Sequence, residues 1–243
     1  MPKAAACQGP RSGRRGIARA ADLWEKREGR ETHLSSGRHM RKILVGVSGA
    51  SGMPLTLRLL GHLSAMPGVE LSCVVSEGAA AVLTAECGME PVALTRPARH
   101  VYRADDLGAG PASGSWWHGG DAPAAMLVVP CSMGTLGALA SGATRNLLQR
   151  AADVALKESL RLVLVTRESP LSAIHLRNML ALREAGAVIM PFSPGFYLRP
   201  QSLEAMLDHF CGRILDQAGL AHGLGRWTPE AAAAAPHSQG DQP

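Results

Sequence analysis

Five short apolar runs, each followed by a stretch with helical spacing, constrain this chain more than any other feature. The runs cover 43–47, 71–75, 126–129, 162–165 and 187–190. They are too short for helices and show no polar alternation, which is how a strand buried on both faces reads. Helical spacing predicts helices at 54–65, about 78–87, 136–140, 147–158, 172–185 and 203–217. Residues 91–125 are irregular and rich in Gly and Pro, with one short strand expected at 100–103. Such alternation predicts an α/β fold with a doubly wound parallel sheet. Right-handed crossovers place every strand's carboxyl end on one edge, and ligands of such sheets bind there.

Composition narrows the function. The chain has 243 residues, 46% hydrophobic and 19% charged, enough for one α/β domain with a substantial core. No apolar stretch approaches 18 residues, so no membrane span is expected. The formal charge is +5, but Arg11, Arg14, Arg15 and Arg19 all fall in the first 20 residues. Without them the basic excess mostly disappears, and aromatics do not interleave with a basic stripe, so no nucleic-acid partner is expected. Cys7, Cys73, Cys87, Cys131 and Cys211 are odd in number and form no CxxC pair. That argues against a disulfide framework or zinc ribbon and predicts a reducing, cytoplasmic setting. The histidines show no HExxH spacing, and no metal is expected. Residues 1–39 read as an irregular extension upstream of Met40. A transit peptide is the other reading, though Asp22, Glu25, Glu28 and Glu31 oppose it. Residues 40–227 form the ligand-binding domain, and 228–243 a low-complexity tail.

Four segments at strand ends carry candidate chemistry. Gly46-Val47-Ser48-Gly49-Ala50-Ser51-Gly52 leads from a strand into a helix, where glycines permit close backbone approach and first-turn amides face an anion. Its spacing is neither GxGxxG nor a P-loop. Pro130-Cys131-Ser132-Met133-Gly134-Thr135 repeats the arrangement with hydroxyls in place of a cation. Cys131 has no base near it in sequence and reads as a small apolar residue rather than a nucleophile. Arg150 and Lys157 share a helix face, and Arg167 and Glu168 lie just past a strand's carboxyl end. The segment 191–202 places Tyr197 on a proline-restricted loop, with Arg213 on the closing helix; a phenol and a guanidinium suit a phosphate.

SGASG, PCSMGTL, NLLQRAADVALKE, VTRESPLS, IHLRNM, AGAVIMP and PGFYLRPQS, in this order and spacing from about residue 42 to 220, resemble the UbiX-type flavin prenyltransferases. The resemblance implies a flavodoxin-like Rossmann fold and assembly as a homo-oligomer, a dodecamer. It implies an enzyme that joins the dimethylallyl group of dimethylallyl phosphate to reduced FMN, by N5 alkylation and ring closure at C6. The product, prenylated FMN, would serve a partner UbiD-type decarboxylase in ubiquinone synthesis, another quinone route or aromatic-acid breakdown. On this resemblance Gly49, Ala50 and Ser51 form the first FMN loop and Ser76 touches the flavin nucleotide. Ser132, Met133, Gly134 and Thr135 hold the FMN phosphate, Ser113 lies in a loop beside the flavin, and Arg167 contacts the cofactor. Lys157, Glu168, Tyr197 and Arg213 surround the dimethylallyl phosphate, with Arg167 and Ser51 adjoining. Arg150 and Glu86 match polar site positions, and Trp227 a late tryptophan near the site.

Physical reading of the same residues agrees with a metal-independent transfer. No DDxxD cluster is present; Asp105-Asp106 reads as a loop cap. Lys157, Arg213 and Tyr197 would stabilise the departing phosphate, and Glu168 would manage protons. The stretch 116–124, with two tryptophans and His118, departs from the family and reads as a variable surface loop or an oligomer contact. A flavin-dependent cysteine decarboxylase is the alternative on the same fold, but the PxMNxxMW segment is absent. A non-catalytic FMN carrier is the alternative from another class.

Overall fold

The structure, a computed structural model, describes residues 40–118, 123–226 and 228. The expected extension at 1–39, the tail after 228 and Trp227 lie outside the described residues. Six parallel strands, β1 (Arg41–Val47), β2 (Val69–Val75), β3 (His100–Arg103), β4 (Pro123–Cys131), β5 (Leu162–Thr166) and β6 (Val188–Pro191), form one sheet in the order β3-β2-β1-β4-β5-β6. This is the doubly wound flavodoxin-like Rossmann arrangement expected from the alternation.

The sheet is buried on both faces, so each strand sends alternate side chains to two cores. Ile43, Val45 and Val47 of β1 meet helices α1 (Met53–Ala65) and α8 (Leu203–Gln217) on one face. Leu44 meets α5 (Met133–Ala140) and α6 (Leu147–Lys157) on the other. The remaining long helices, α2 (Glu77–Cys87) and α7 (Ala173–Glu184), complete the two layers. At Gly46 a Cβ would stand 2.9 Å from Leu148 Cγ, so the missing side chain is what lets α6 pack closely on β1.

Local capping fixes where these helices begin. Ser76, Ser132, Asn146, Ser172 and Ser202 each accept a first-turn amide through a side-chain oxygen. The 91–118 region, expected to be irregular apart from β3, also contains two single turns of helix, α3 (Val92–Thr95) and α4 (Gly114–Trp117). Four residues give too little periodicity to read. Here the expectation for 116–124 is corrected in part: Trp117 is fully buried, its indole donating to the Pro111 carbonyl at 3.1 Å. Trp116 meets Trp117 and Tyr102 edge-on. The pair is core that closes the α6 face; residues 119–122 lie outside the described residues.

Candidate active site along the carboxyl edge of the sheet

The strand order reverses between β1 and β4, and a crevice opens at such a reversal. The two Gly/Ser loops of the sequence lie there, after β1 and after β4. Ser48 joins them. It is buried, its hydroxyl donates to the Pro130 carbonyl at 2.8 Å, and it accepts the Ser132 amide at 2.8 Å. Gly49 follows, and a Cβ there would lie 2.8 Å from the backbone of Gly78 in α2, so the first loop and α2 touch backbone to backbone.

The structure revises one expectation about the first loop. The amides of Gly52 and Met53, which open α1, do not face an open anion site: the Glu86 carboxylate accepts both, at 3.0 and 2.8 Å. Burial, the largest single influence, would raise this carboxyl. The Ser51 hydroxyl, the two amides and the Arg167 guanidinium together outweigh it and hold the group below its ordinary range. Glu86 therefore acts as the cap of α1 from another helix and ties Ser51 and Arg167 to the loop.

The open anion site lies one step along. Gly49, Ser76, Ser132, Gly134, Thr135, Arg145 and Asn146 line a cleft of ≈ 570 Å³, together with the carboxylates Glu77 and Asp105, the latter paired with Arg103. Ser76, Ser132 and Asn146 are the N-caps of α2, α5 and α6, so three helix N-termini converge on it. First-turn amides lack intrahelical partners and the helix dipole favours negative charge, so the cleft has the chemistry of a phosphate cradle. Ser132 Oγ accepts the Thr135 amide at 3.2 Å and donates to Thr135 Oγ1 at 3.1 Å, fixing the loop. Met133, half-buried, turns into the core beneath, and Ala50 is buried. Arg145 supplies a guanidinium that the sequence reading missed.

Farther along the edge, Thr166, Arg167, Glu168, Pro191 and Ser193 line a notch of ≈ 230 Å³. Thr166 Oγ1, at its inner end, is buried with no hydrogen-bond partner. An orphaned hydroxyl beside a guanidinium and a carboxylate fits a site completed by a polar ligand. Pro191 and Ser193 also border the next cleft, of ≈ 700 Å³, lined by Tyr197, His209, Arg213 and Arg226 among others. The phosphate cradle, the notch and the guanidinium cleft thus follow β2, β1, β4, β5 and β6 along one edge.

Lys157, Arg150 and Ser113 sit differently. Arg150 Nε donates to the Ala112 carbonyl at 3.2 Å and Nη1 to Asp153 at 2.8 Å. Ser113 and Ser115 share a hydroxyl contact of 2.9 Å. Lys157 pairs with Glu158, which also binds His118 at 2.7 Å. Asn146 caps α6 at the cradle, and at 1.5 Å per residue Lys157 lies roughly 16 Å down the helix axis. Lys157 is absent from the lining of the notch that holds Glu168 and of the cleft that holds Tyr197 and Arg213. Burial pushes the Cys131 thiol up to about 12, in keeping with its reading as an inert apolar residue. Among the described residues, no group of three or more His, Cys, Asp or Glu side chains is placed to hold a metal, and no helix is long and apolar enough to cross a membrane.

Comparison with known proteins agrees with this geometry. The Flavoprotein family model matches residues 31–215. The flavin prenyltransferase UbiX of Deinococcus radiodurans is 47% identical over 192 residues, covering 79% of this chain and 95% of that protein. The crystal structure of AnUbiX (PadA1) in complex with FMN and dimethylallyl pyrophosphate matches with a TM-score of 0.73 at 43% identity, over 77% of this chain and 97% of the other. The dodecameric FMN-dependent UbiX-like decarboxylase from Escherichia coli O157:H7 matches with a TM-score of 0.72 at 40% identity, over 77% and 99%. Extended identity across a shared six-stranded architecture settles the family: this chain belongs to the UbiX-type flavin prenyltransferases.

Proposed function

We propose that this protein is a flavin prenyltransferase that transfers the dimethylallyl group of dimethylallyl phosphate to reduced FMN, and that its product, prenylated FMN, is consumed by a UbiD-type decarboxylase. One observation carries the reading: two separate clefts lined by groups suited to phosphate lie along one sheet edge, and a notch with an unsatisfied hydroxyl adjoins the second. A carrier of FMN needs one phosphate site; a transferase with two phosphorylated substrates needs two.

The cradle at Gly49, Ser76 and Ser132–Thr135 takes the FMN phosphate with amides and hydroxyls, which leaves the ring system to lie toward Ser51, Ser113 and Arg167. The Tyr197–Arg213 cleft takes the allylic phosphate. When the allylic C–O bond breaks, its electron pair leaves with the phosphate, and the flavin N5 lone pair forms the new C–N bond. The N5 proton is released in that step; ring closure follows when a proton adds to the prenyl double bond, C6 bonds to the resulting tertiary carbon, and the C6 proton is released. Arg213 and Tyr197 meet the charge that develops on the departing phosphate through charge-assisted hydrogen bonds. Glu168, on the notch, manages these protons: it accepts one from the flavin and returns one to the double bond. Lys157 completes the phosphate group from a neighbouring copy, since its own chain holds it at the far end of α6; a homo-oligomer, dodecameric as in the E. coli neighbour, provides that copy. The free cysteines among the described residues support a reducing, cytoplasmic setting.

The test is anaerobic incubation with FMN, dithionite and dimethylallyl phosphate without added metal, followed by mass spectrometry of the released flavin. A flavin heavier by one five-carbon prenyl unit is expected. FMN that binds tightly yet returns unmodified would replace the transferase reading with a carrier.

A further inference from the structure

The tryptophan-bearing stretch after Ser115 ends against Lys157. Trp117 is its anchor: fully buried, with its indole bonded to the Pro111 carbonyl, it fixes the single turn α4. The next residue, His118, is tied back by its amide to the Ser115 carbonyl at 3.2 Å. Its half-exposed side chain meets Glu158 Oε2 through Nε2 at 2.7 Å. An ionised carboxylate can only accept, so Nε2 carries the proton. The other carboxylate oxygen, Oε1, takes the Lys157 ammonium.

The backbone holds Glu158 where these two partners can reach it. After α6 the amides of Ser159 and Leu160 donate to the Leu156 and Ala155 carbonyls at 2.9 and 2.8 Å, with Ser159 at φ 54°, which closes the helix in a Schellman turn. Glu158 is the C-cap, at the negative end of the helix dipole, where a carboxylate is disfavoured and cations are favoured. The Lys157 ammonium first and the His118 imidazole second hold its carboxyl below the ordinary range. Asp153, one turn earlier on the face of Lys157, is taken by Arg150 at 2.8 Å, so Glu158 is the carboxylate that Lys157 meets. Gly114 leaves room for the pair: a Cβ there would overlap Glu158 Oε1 and stand 2.8 Å from Lys157 Nζ.

A lysine alone places a charge poorly, because its long side chain gives up rotamer freedom on binding. Here Glu158 takes one ammonium hydrogen, and His118, held on a separate anchored turn, keeps Glu158 from following the ammonium away. Two hydrogens of the half-exposed Lys157 stay available for a ligand. We propose that His118 is a positioning residue for donor binding: through Glu158 it holds the Lys157 ammonium in place for the phosphate of dimethylallyl phosphate. The proposal rests on the reading of Lys157 as a group that contacts that phosphate.

The experiment measures kcat and KM for dimethylallyl phosphate, together with FMN affinity, in the full-length wild type, His118→Ala, His118→Gln, Glu158→Gln and the double variant His118→Ala with Glu158→Gln. His118→Ala is expected to raise the donor KM about threefold, the scale of one half-exposed ion pair, with kcat and FMN affinity within about twofold. His118→Gln keeps an N–H donor and is expected to recover most of that loss. The double variant is expected to match Glu158→Gln alone, because His118 acts through that carboxylate. The proposal is overturned if His118→Ala leaves the donor KM unchanged, if it weakens FMN as much as the donor, if His118→Gln recovers nothing, or if the two substitutions add. Full activity with an unchanged donor KM in Lys157→Ala would instead overturn the reading of Lys157 as a phosphate contact, and this proposal with it. No prenylated flavin from wild type would overturn the reading of the protein as a prenyltransferase.

Discussion

Replacing Ser48 with alanine tests whether the two Gly/Ser loops work as one unit. The Ser48 hydroxyl makes two hydrogen bonds, a buried one to the Pro130 carbonyl and a part-buried one from the Ser132 amide. Their loss is not symmetric. The Pro130 carbonyl keeps the Ser48 amide as a donor at 3.3 Å, so it is not orphaned. The Ser132 amide loses its hydroxyl acceptor in a part-buried position, at a cost of about 1–3 kcal/mol. A chain of this size loses roughly 2–4 °C in Tm per kcal/mol, so Ser48→Ala should melt about 4–8 °C lower for a loss near 2 kcal/mol. Ser132 also caps α5 at the cradle, so the same change should loosen the phosphate site and weaken FMN binding by about tenfold, equivalent to about 1.4 kcal/mol. The assay is a thermal melt without ligand together with a titration of FMN. A fall in Tm with unchanged FMN affinity would show that the loop after β4 holds its shape without Ser48. No change in either would refute the reasoning altogether.

Two further outcomes follow from the site. The Glu86 carboxyl lies below its unfolded value, so its contribution to stability is present above the ordinary carboxylate range and lost as pH falls through the depressed folded value. Glu86→Gln should therefore be less stable than wild type at pH 7, with the gap closing in denaturant melts taken toward pH 3; a gap independent of pH would contradict the charged cap. If Lys157 serves a neighbouring copy, then Lys157→Ala and Arg213→Ala chains, each inactive alone, should regain about a quarter of wild-type activity when co-assembled in equal amounts, because random mixing leaves that share of sites intact; no recovery in mixed oligomers would return Lys157 to its own chain's site.

The parts of this protein that were legible in the sequence are those governed by local physics. The buried strands read as unbroken apolar runs because both faces of a parallel sheet are covered, and the observed β1 and β5 extend those runs by only one or two residues. Helix positions read from their spacing, and the Ser and Asn caps that fix their starts in the structure each need only their own first turn. The strand-end loops followed from the topology, since every carboxyl end had to fall on one edge.

What was not legible depends on pairings across long separations. Ser48 looks no different from Ser51 in a glycine-rich loop; its partners lie 82 and 84 residues away, and only the adjacency of β1 and β4 makes it the buried strut. Glu86 matched a polar site position, yet nothing local says that its carboxylate closes α1 from 33 residues downstream and thereby moves the anion site from α1 to the convergence of α2, α5 and α6. Arg226 sits past the last helix in a stretch without periodicity, and its aim is set by Asp216 and by a histidine whose tautomer is fixed by a backbone amide. Lys157 is the limiting case. Its position on the helix is plain from sequence and structure alike, but a group that acts across a boundary between copies leaves no trace in the local pattern of one chain, which is why the co-assembly experiment, and not a closer reading of either, decides its role.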